Sequence, residues 1–365
     1  MNVKKFCIIS DIHFCDEFVT DINKGLRECF FPYLRESVDE LSAVIIAGDL
    51  FHKKLTFGSV SAYSVLNFLT KTLKILKGKP LIVIGGTRSH DFKQLSTFKF
   101  LESKGLTIIE TADEMEIDDV PILFLPEEYP TDGLKHYGFE SKLKEDEQYG
   151  MIVLHGMIDF AAYASSRMES EKIVPSAVTF PSKMLSKLAI VTVAGHVHTP
   201  MDHENIHYCG SFNRFAFGEE EDKGFIEVDI DLDSSTYELY RIQNTCAPTF
   251  KTIKFSKVFE GDIEKALLKV KKLEDKYDNL RIEIDMELDE KVNTAVAVMR
   301  ESFPKVKLKL TRIRKKKIED TLPEQVVQIL KDKADVKQTI TELIKQNHPE
   351  VVVTEEYVGM VISKK

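Results

Sequence analysis

Short apolar runs, each followed by polar or glycine residues, divide the first two thirds of the chain. Several contain β-branched side chains, which is typical of strands buried on both faces of a sheet. The pattern predicts strands at residues 6–10, 43–47, 81–84, 122–125, 152–154 and 190–194. Helical stretches at 58–77 and 91–104 lie between some of these runs. Residues 1–245 are therefore expected to form an α/β domain.

Alternation of apolar and charged residues predicts half-buried strands in a second, smaller unit. The alternating apolar positions are Leu280, Ile282, Ile284 and Met286, and later Val306, Leu308 and Leu310. Helical stretches at 262–277 and 289–302 separate the strand-like pieces. The order β-α-β-α-β predicts a small α+β domain over residues 246–318.

The last part of the chain, residues 319–365, has the pattern of two short amphipathic helices. Thr321 and Glu324 have the spacing of a capping box, and Pro349 ends a second apolar stripe. Helices of about three turns are marginal in isolation. We therefore expect this segment to pack either on the preceding domain or on a partner protein.

Composition excludes several classes of protein. A length of 365 residues suits two domains and a small third piece, and 43% hydrophobic with 30% charged residues excludes disorder over the whole chain. The apolar runs are shorter than the roughly 18 residues that span a bilayer. Asp11 interrupts the first run, which makes it too short for a signal peptide. We expect a cytoplasmic location and no membrane partner.

Charge and cysteine content narrow the picture further. The formal net charge is −9, which argues against binding nucleic acid through bulk charge but allows an enzyme whose metal ions supply positive charge. Five cysteines without CxxC spacing predict free thiols. The acidic run 219–222 is expected to be solvated. The basic run 312–317 is either a solvated strand end or a contact to a phosphate backbone.

Five polar stretches carry the candidate chemistry, because each follows a predicted strand and ligands bind beyond the carboxyl ends of such strands. They are Asp11-Ile12-His13, Gly48-Asp49-Leu50-Phe51-His52, Gly86-Thr87-Arg88-Ser89-His90-Asp91, His155-Gly156 and Gly195-His196-Val197-His198. The D-x-H and H-x-H spacings put two side chains on one side of an extended segment, where they can chelate one ion. Each stretch alone is more often a turn or a surface feature. Together they predict a site with oxygen and nitrogen ligands, which suits manganese, iron or zinc.

The order D-x-H, G-D, H-D, H-G and G-H-x-H resembles the calcineurin-like metallophosphoesterases. Further stretches resemble the SbcD-type DNA-repair nucleases within that family. These are residues 47–52 (AGDLFH), 154–157 (LHGM), 210–214 (GSFNR), 217–219 (FGE) and 223–225 (KGF). The motifs cover about residues 1–230. The resemblance implies a β-sandwich flanked by helices, a capping domain at 246–318 and a partner-binding segment at 319–365.

The resemblance also implies a site for two divalent ions, most often manganese. The implied ligands are Asp11, His13 and His198 for the first ion, His155 and His196 for the second, and Asp49 as a bridge between them. His90 would lie beside the scissile phosphate as an acid or a charge stabiliser, and Asp91 would orient it. His52 would contact the phosphodiester.

One stretch departs from the family pattern of Gly-Asn-His-Asp, in which the Asn is a ligand of the second ion. Here Ser89 precedes His90, and Thr87 and Arg88 are extra. Ser89 is the residue that the alignment of motifs offers in place of the Asn. It is a neutral but shorter oxygen donor, so the second ion would bind more weakly, take water as a ligand, or be reached by a shifted loop.

The function that the resemblance implies is hydrolysis of phosphodiester bonds at DNA ends, as an exonuclease and endonuclease of DNA repair, recombination or replication. The implied partners are an SbcC-like ATPase and a second copy of the chain. The helical stretch 58–77 is apolar on more than one face, which fits either the family's dimer interface or core packing alone. Two other functions stay open: a small-substrate phosphatase or phosphodiesterase of the same superfamily, and a non-catalytic scaffold for the ATPase.

Overall fold

A computed structural model describes residues 3–56, 58–91, 93–127, 148–161, 178–284 and 289–310. The described residues up to Ile284 and from Glu290 to Lys309 belong to one compact unit. Met286, the basic run 312–317 and the segment 319–365 lie outside the described residues. The predicted domain boundaries after residues 245 and 318 stay predictions.

Strands account for most of the regular structure. In chain order they are β1 (Val3–Ile9), β2 (Leu41–Ala47), β3 (Leu81–Ile84), β4 (Leu106–Ile109), β5 (Asp113–Ile117), β6 (Val120–Leu125), β7 (Tyr149–His155), β8 (Met157–Ile158), β9 (Thr179–Phe180), β10 (Ala189–Gly195), β11 (Met201–His203), β12 (Ile206–Tyr208), β13 (Gly224–Asp231), β14 (Thr236–Gln243), β15 (Phe250–Lys254), β16 (Asn279–Ile284) and β17 (Lys307–Leu310). All six strands predicted for the first 245 residues are confirmed, with ends that differ by up to three residues.

Two of the sheets have six strands each and are mixed. The first sheet has the order β14-β13-β1-β2-β3-β4, and the second has the order β11-β12-β10-β7-β6-β5. The central strands β1 to β4 run parallel, as do β6, β7, β10 and β12. Antiparallel strands β13 and β14 extend one sheet, and β5 and β11 form the edges of the other. The chain therefore has a mixed α/β fold, as predicted.

The two sheets face each other across a shared core, which the alternation of side chains explains. On β1, Phe6 and Ile8 contribute to a core that also contains Ile122 and Val153 of the second sheet. The alternate residues of β1 point to the opposite face, where Cys7 packs in a cluster with the helices. Each central strand is thus apolar on both faces, because one side meets a sheet and the other meets helices.

The helices flank the sheets. They are α1 (Val19–Gly25), α2 (Phe31–Ser37), α3 (Val60–Leu76), α4 (Arg88–Asp91), α5 (Ser182–Leu188), α6 (Ile263–Glu274) and α7 (Glu290–Ser302). A π-helical turn, Leu26–Phe30, joins α1 to α2, and 3₁₀ structure covers Leu95–Lys104. Ser59 begins α3, because its hydroxyl accepts the Ala62 N–H at 3.2 Å.

The predicted helix at 91–104 is wrong as a single element, since a short α-helix and a 3₁₀ segment replace it. Among the described residues, no helix combines the length and apolarity needed to cross a bilayer.

A small third sheet has the order β15-β16-β17, and β8 and β9 pair as a separate two-stranded sheet. Helix α6 lies between β15 and β16 in the chain, and α7 lies between β16 and β17, so the predicted order β-α-β-α-β is confirmed. The Asp262 carboxylate begins α6 by accepting the Lys265 N–H at 3.1 Å. The ring of Phe217, from the loop before β13, packs edge-on against Phe250 of β15 at 5.2 Å between centroids.

Candidate metal centre

The carboxyl ends of β1, β2, β3, β7 and β10 converge, and the loops that follow them carry most of the predicted site residues. Backbone hydrogen bonds join these loops. The Asp11 N–H donates to the Gly48 carbonyl at 3.1 Å, and the His13 N–H donates to the Asp49 carbonyl at 3.1 Å. The His196 N–H donates to the Asp11 carboxylate at 3.0 Å. Residues from both sheets are therefore fixed in one site.

Four of the predicted ligands have a left-handed backbone, which is uncommon for residues other than glycine. The φ angles are 49° at Asp11, 54° at His13, 48° at Asp49 and 93° at His196. Such conformations cost about 1–3 kcal/mol each and cluster at functional sites, where the surrounding structure holds them. Ten described residues other than glycine have a positive φ, and four of them lie in this one site.

Two glycines, Gly48 and Gly195, let the strand ends approach each other. A Cβ atom at Gly195 would lie 2.1 Å from the Ser10 hydroxyl oxygen and 2.2 Å from the Ala47 carbonyl oxygen. Gly48 has a φ of 84°, and a Cβ atom there would lie 2.2 Å from Nδ1 of His155. Any side chain at either position would separate the loops that form the site.

Asp11, His13 and His198 form a first ligand group, and all three are buried. Nε2 of His13 lies 2.9 Å from Nε2 of His198. The Asp11 Oδ1 atom is 3.9 Å from the former and 4.0 Å from the latter. Two ligands bound at about 2.1 Å and at right angles are about 3 Å apart, so one ion can take both imidazoles.

His155, His196 and Glu127 form a second ligand group, in which one ligand atom from each residue lies within 4.8 Å of the others. His155 and Glu127 are buried, and His196 is half-buried. Thr87 adds a hydroxyl oxygen that is 3.4 Å from both His155 Nε2 and His196 Nδ1.

Asp49 lies between the two groups and presents one oxygen to each. Its Oδ2 is 3.9 Å from Nε2 of His13, and its Oδ1 is 3.4 Å from Nε2 of His155. Oδ1 also accepts the Thr87 N–H at 2.6 Å, which fixes the orientation of the carboxylate. This position fits the bridging role that the resemblance implies.

Hydrogen bonds behind the site determine which nitrogen of two imidazoles faces it. Nδ1 of His155 is 2.8 Å from the Ala47 carbonyl oxygen, so that nitrogen carries the proton and donates. Nδ1 of His198 is 3.1 Å from Oε1 of Glu219 and donates in the same way. In both residues Nε2 is the nitrogen that faces the site, where it can bind a metal ion once it carries no proton.

Burial keeps the imidazoles of His13 and His196 neutral, whereas His155 is protonated beside Asp49. This burial lowers the pKa of His13 well below its usual value, and repulsion from His198 adds to the effect. Burial, with His155, lowers the pKa of His196 to about 3. Burial alone would also lower the pKa of His155, but attraction to Asp49 outweighs it and raises that pKa to about 10. A bound cation would therefore replace the proton of His155 as the partner of Asp49.

The side chains fit a metal ion on chemical grounds. Burying carboxylates is costly unless they are paired or bind cations, yet Asp11 and Asp49 are 0% and 3% exposed. Nδ1 of His13 is buried without a hydrogen-bond partner among the described residues, and Nε2 is the nitrogen of this ring that faces His198. Buried groups of His, Asp and Glu in this part of the chain could hold a metal ion.

His52 and His90 lie at the opening of the site and are half-buried. Their rings are 5.4 Å and 4.9 Å from the ring of His13, measured between centroids. Nδ1 of His90 donates to the carbonyl of His52 in a short hydrogen bond. The two residues are thus close to the first ligand group but more accessible than its members.

Asp91 has different partners from those that the resemblance implies. Its carboxylate accepts the backbone N–H groups of Gly86, Leu50 and Phe51 at 2.9, 3.4 and 3.2 Å. It therefore joins the loops after β2 and β3, and the carbonyl of His52, rather than Asp91, orients His90. Burial, with repulsion from Asp49, raises the pKa of Asp91 to about 7.

Ser89, which the motif alignment predicts as a ligand of the second ion, does not lie with the ligand groups. Ser89 is exposed on α4, whereas Thr87 is buried and its hydroxyl lies between His155 and His196. The extra residues in this loop form the short helix α4, Arg88–Asp91. The helix moves the residue before His90 away from the site, so the neutral oxygen there comes from Thr87.

Two residues with apparent roles were missed from the sequence. Glu127 follows β6 just as the predicted ligands follow their strands. This position after a strand is the sequence feature that could have identified it as a candidate. Glu219 was expected to be solvated with the rest of its acidic run, but it is 1% exposed. Its Oε2 atom is 3.2 Å from Nζ of Lys223, which is itself fully buried and donates to the His198 carbonyl at 2.8 Å. The other three acidic residues of the run are exposed.

We expect Glu219→Gln to weaken metal binding at the first ligand group by about 10–100-fold, the usual effect of removing an outer carboxylate from a ligating histidine. The Lys223 ammonium would then be buried without its charged partner, so the Glu219→Gln/Lys223→Met double variant separates this effect from misfolding. Titration with Mn²⁺ gives the affinity, and Glu220→Gln at the exposed neighbour is the control. Unchanged affinity in the folded double variant would exclude a role for Glu219 in positioning His198.

Comparisons with known proteins add little to this geometry. No protein-family model matches the chain, and no curated protein matches it at a significant level. Among solved structures, a protein of unknown function from Aquifex aeolicus, AQ665, is similar with 15% sequence identity and a TM-score of 0.24. The similarity covers 57% of this chain and 89% of that one. At that TM-score it carries no argument about fold or function.

Proposed function

We propose that this protein is a metal-dependent DNA nuclease of the SbcD type, within the calcineurin-like metallophosphoesterases. The observation that carries the proposal is the position of Asp49, whose two oxygens face His13 on one side and His155 on the other. Paired metal sites are used by phosphatases, polymerases and nucleases for in-line displacement at phosphorus.

The first ligand group and Asp49 would hold one ion, and His155, His196 and Asp49 would hold the other. Manganese suits this mixture of carboxylate oxygen and imidazole nitrogen. When bound, such ions lower the pKa of water and neutralise charge on the phosphate oxygens. The net charge of −9 is then no obstacle to binding DNA, because the positive charge is local to the site.

His90 and His52 act on the substrate side of the site. Because Nδ1 of His90 donates to the His52 carbonyl, Nε2 is the nitrogen left to reach the substrate. We assign His90 to protonation of the leaving oxygen or to stabilisation of its charge. Burial, with repulsion from His90, lowers the pKa of His52, so this ring is neutral at pH 7 and contacts the phosphodiester through an N–H group.

An aromatic pair beside the opening supports a nucleic acid as the substrate. Phe18 and Phe215 are half-buried, and their rings are 5.0 Å apart between centroids. Phe215 is 5.2 Å from the ring of His13, and Phe18 is 5.5 Å from the ring of His52. Unpaired bases stack on aromatic side chains at about 1–3 kcal/mol per base, which a small phosphate monoester would not use.

The partners of this nuclease are proposed from the same resemblance. Helix α3 buries Val65, Phe68 and Leu69, but Val60 and Tyr63 are 63% and 71% exposed. This helix therefore packs in the core and still offers apolar surface to a second copy of the chain, which supports a homodimer. The SbcC-like ATPase is assigned to the segment 319–365, beyond the described residues.

The proposal is tested by incubating the full-length protein with linear DNA, labelled at either end, and separately with bis-p-nitrophenyl phosphate. We expect Mn²⁺-dependent degradation of DNA that EDTA stops. Asp49→Asn protein from the same preparation controls for contaminating nucleases. Hydrolysis of the small diester without DNA degradation would favour the small-substrate phosphodiesterase. Bound metal without hydrolysis of either substrate would favour the scaffold.

A further inference from the structure

Glu127 occupies a position in the site that the resemblance does not assign. It follows β6, a strand of the second sheet next to β7, which ends at His155. The Glu127 N–H donates to the Gly85 carbonyl at 3.3 Å, which joins it to the loop after β3. Its side chain is buried at 8% exposure, and one carboxylate oxygen lies within 4.8 Å of ligand nitrogens of His155 and His196.

The loop after β3 explains why this position matters. In the family pattern that loop supplies an amide ligand, but here Ser89 is exposed and the oxygen that the loop places beside His155 is the Thr87 hydroxyl. A hydroxyl is a weaker ligand than a carboxylate for manganese or magnesium, which favour carboxylate and carbonyl oxygens. The second ligand group therefore lacks a strong oxygen of its own unless Glu127 supplies it.

We propose that Glu127 is a direct ligand of the second ion, with the Thr87 hydroxyl beside it, in place of the amide that the family pattern provides. The two ions then have matched ligand sets, each with two imidazoles, one carboxylate of its own and the shared Asp49. Glu127 matches Asp11 in this arrangement. The inference rests on the proposed two-metal site and adds to it which residue completes the second half.

The negative charge of Glu127 affects how tightly the second ion binds. With Asp11, Asp49 and Glu127 the site has three carboxylates for two divalent ions, and without Glu127 it would have two. The extra negative charge favours binding of the second cation before any phosphate arrives. We therefore expect the DNA-free protein to bind two Mn²⁺ ions with similar affinities, rather than one tightly and one only with substrate.

The test is Mn²⁺ binding without DNA, measured by calorimetric titration and by metal analysis after gel filtration. Removing an outer-sphere partner typically costs 10–100-fold in affinity, so losing a direct ligand in Glu127→Gln is expected to weaken the second ion by about 100-fold or more. The first ion should stay bound. Glu127→Asp keeps the charge on a shorter side chain and should retain part of the affinity.

Two variants serve as matched controls. Glu116→Gln removes a carboxylate from an exposed position on β5, and Ser89→Ala removes the hydroxyl that the motif alignment offered. Both should bind two ions like the wild type. Loss of the second ion in Ser89→Ala, but not in Glu127→Gln, would overturn the proposal.

Other outcomes also decide between ligand and structural roles. A ligand contributes to stability through bound metal, so Mn²⁺ should raise the unfolding temperature of Glu127→Gln by less than it raises that of the wild type. An equal rise in both proteins, or two ions retained at wild-type affinity, would overturn the proposal. A wild-type protein that binds one ion would overturn it as well. A wild-type protein that binds two Mn²⁺ ions, loses the second in Glu127→Gln and does not cleave DNA would support the ligand and reject the nuclease.

Discussion

Asp49→Asn is expected to lose both metal ions and all Mn²⁺-dependent nuclease activity. The substitution keeps the shape of the side chain but removes the charge that faces His13 at 3.9 Å and His155 at 3.4 Å. Both ions lose a ligand at once, because the carboxylate lies between the two ligand groups. Metal analysis after gel filtration and digestion of end-labelled DNA measure the two effects on one sample.

The matched control for this variant is Asp39→Asn. The Asp39 side chain is 91% exposed, and the residue belongs to neither ligand group. It should retain both ions and full activity. Near wild-type activity of Asp49→Asn with Mn²⁺ would reject the two-metal interpretation. Loss of a single ion would instead mean that Asp49 is a ligand of that ion alone and does not bridge the two.

His90→Ala is expected to keep both ions but lower the rate of DNA cleavage by about 10²–10⁴-fold, the usual contribution of a general acid or base. The residue is half-buried at the opening, and its Nδ1 already donates to the His52 carbonyl. In the proposed mechanism its Nε2 acts on the substrate. Single-turnover rates with saturating Mn²⁺ separate the chemical step from binding.

For this variant the control is His203→Ala, because His203 is exposed on β11 and stacks on Phe160. A loss of metal in His90→Ala would make His90 a ligand, consistent with its place in a group with His13 and His52. An unchanged rate would remove it from the mechanism.

Local pattern was sufficient for much of the fold. The strands at 43–47 and 81–84 could be predicted because an uninterrupted apolar run bounded by glycine or polar residues is what a strand covered on both faces requires. The strands β16 and β17 of the small sheet were equally clear, since apolar and charged residues alternate along them. Strands β13 and β14 were missed, because they pair at one side of the first sheet and carry many polar residues.

The sequence also indicated which residues meet in the site, for a simple physical reason. Parallel strands end at a common edge, so polar residues that follow several of them converge without any knowledge of strand order. Asp11, Asp49, His155 and His196 satisfy that rule, and the structure places them together. The spacing in Asp11-Ile12-His13 added the expectation of chelation, although both residues turn out to have left-handed backbones rather than extended ones.

Only the tertiary structure decided the contacts that depend on loop geometry and on neighbours across the two sheets. The short helix α4 exposes Ser89 and leaves Thr87 in the site. The spacing of residues in the motif does not show that this loop forms a helix. Glu219 is in an acidic run that looks solvated, yet a fold-dependent contact with Lys223 and His198 buries it. Glu127 becomes a candidate ligand because β6 pairs with β7, and strand order is a property of the assembled sheet rather than of either segment.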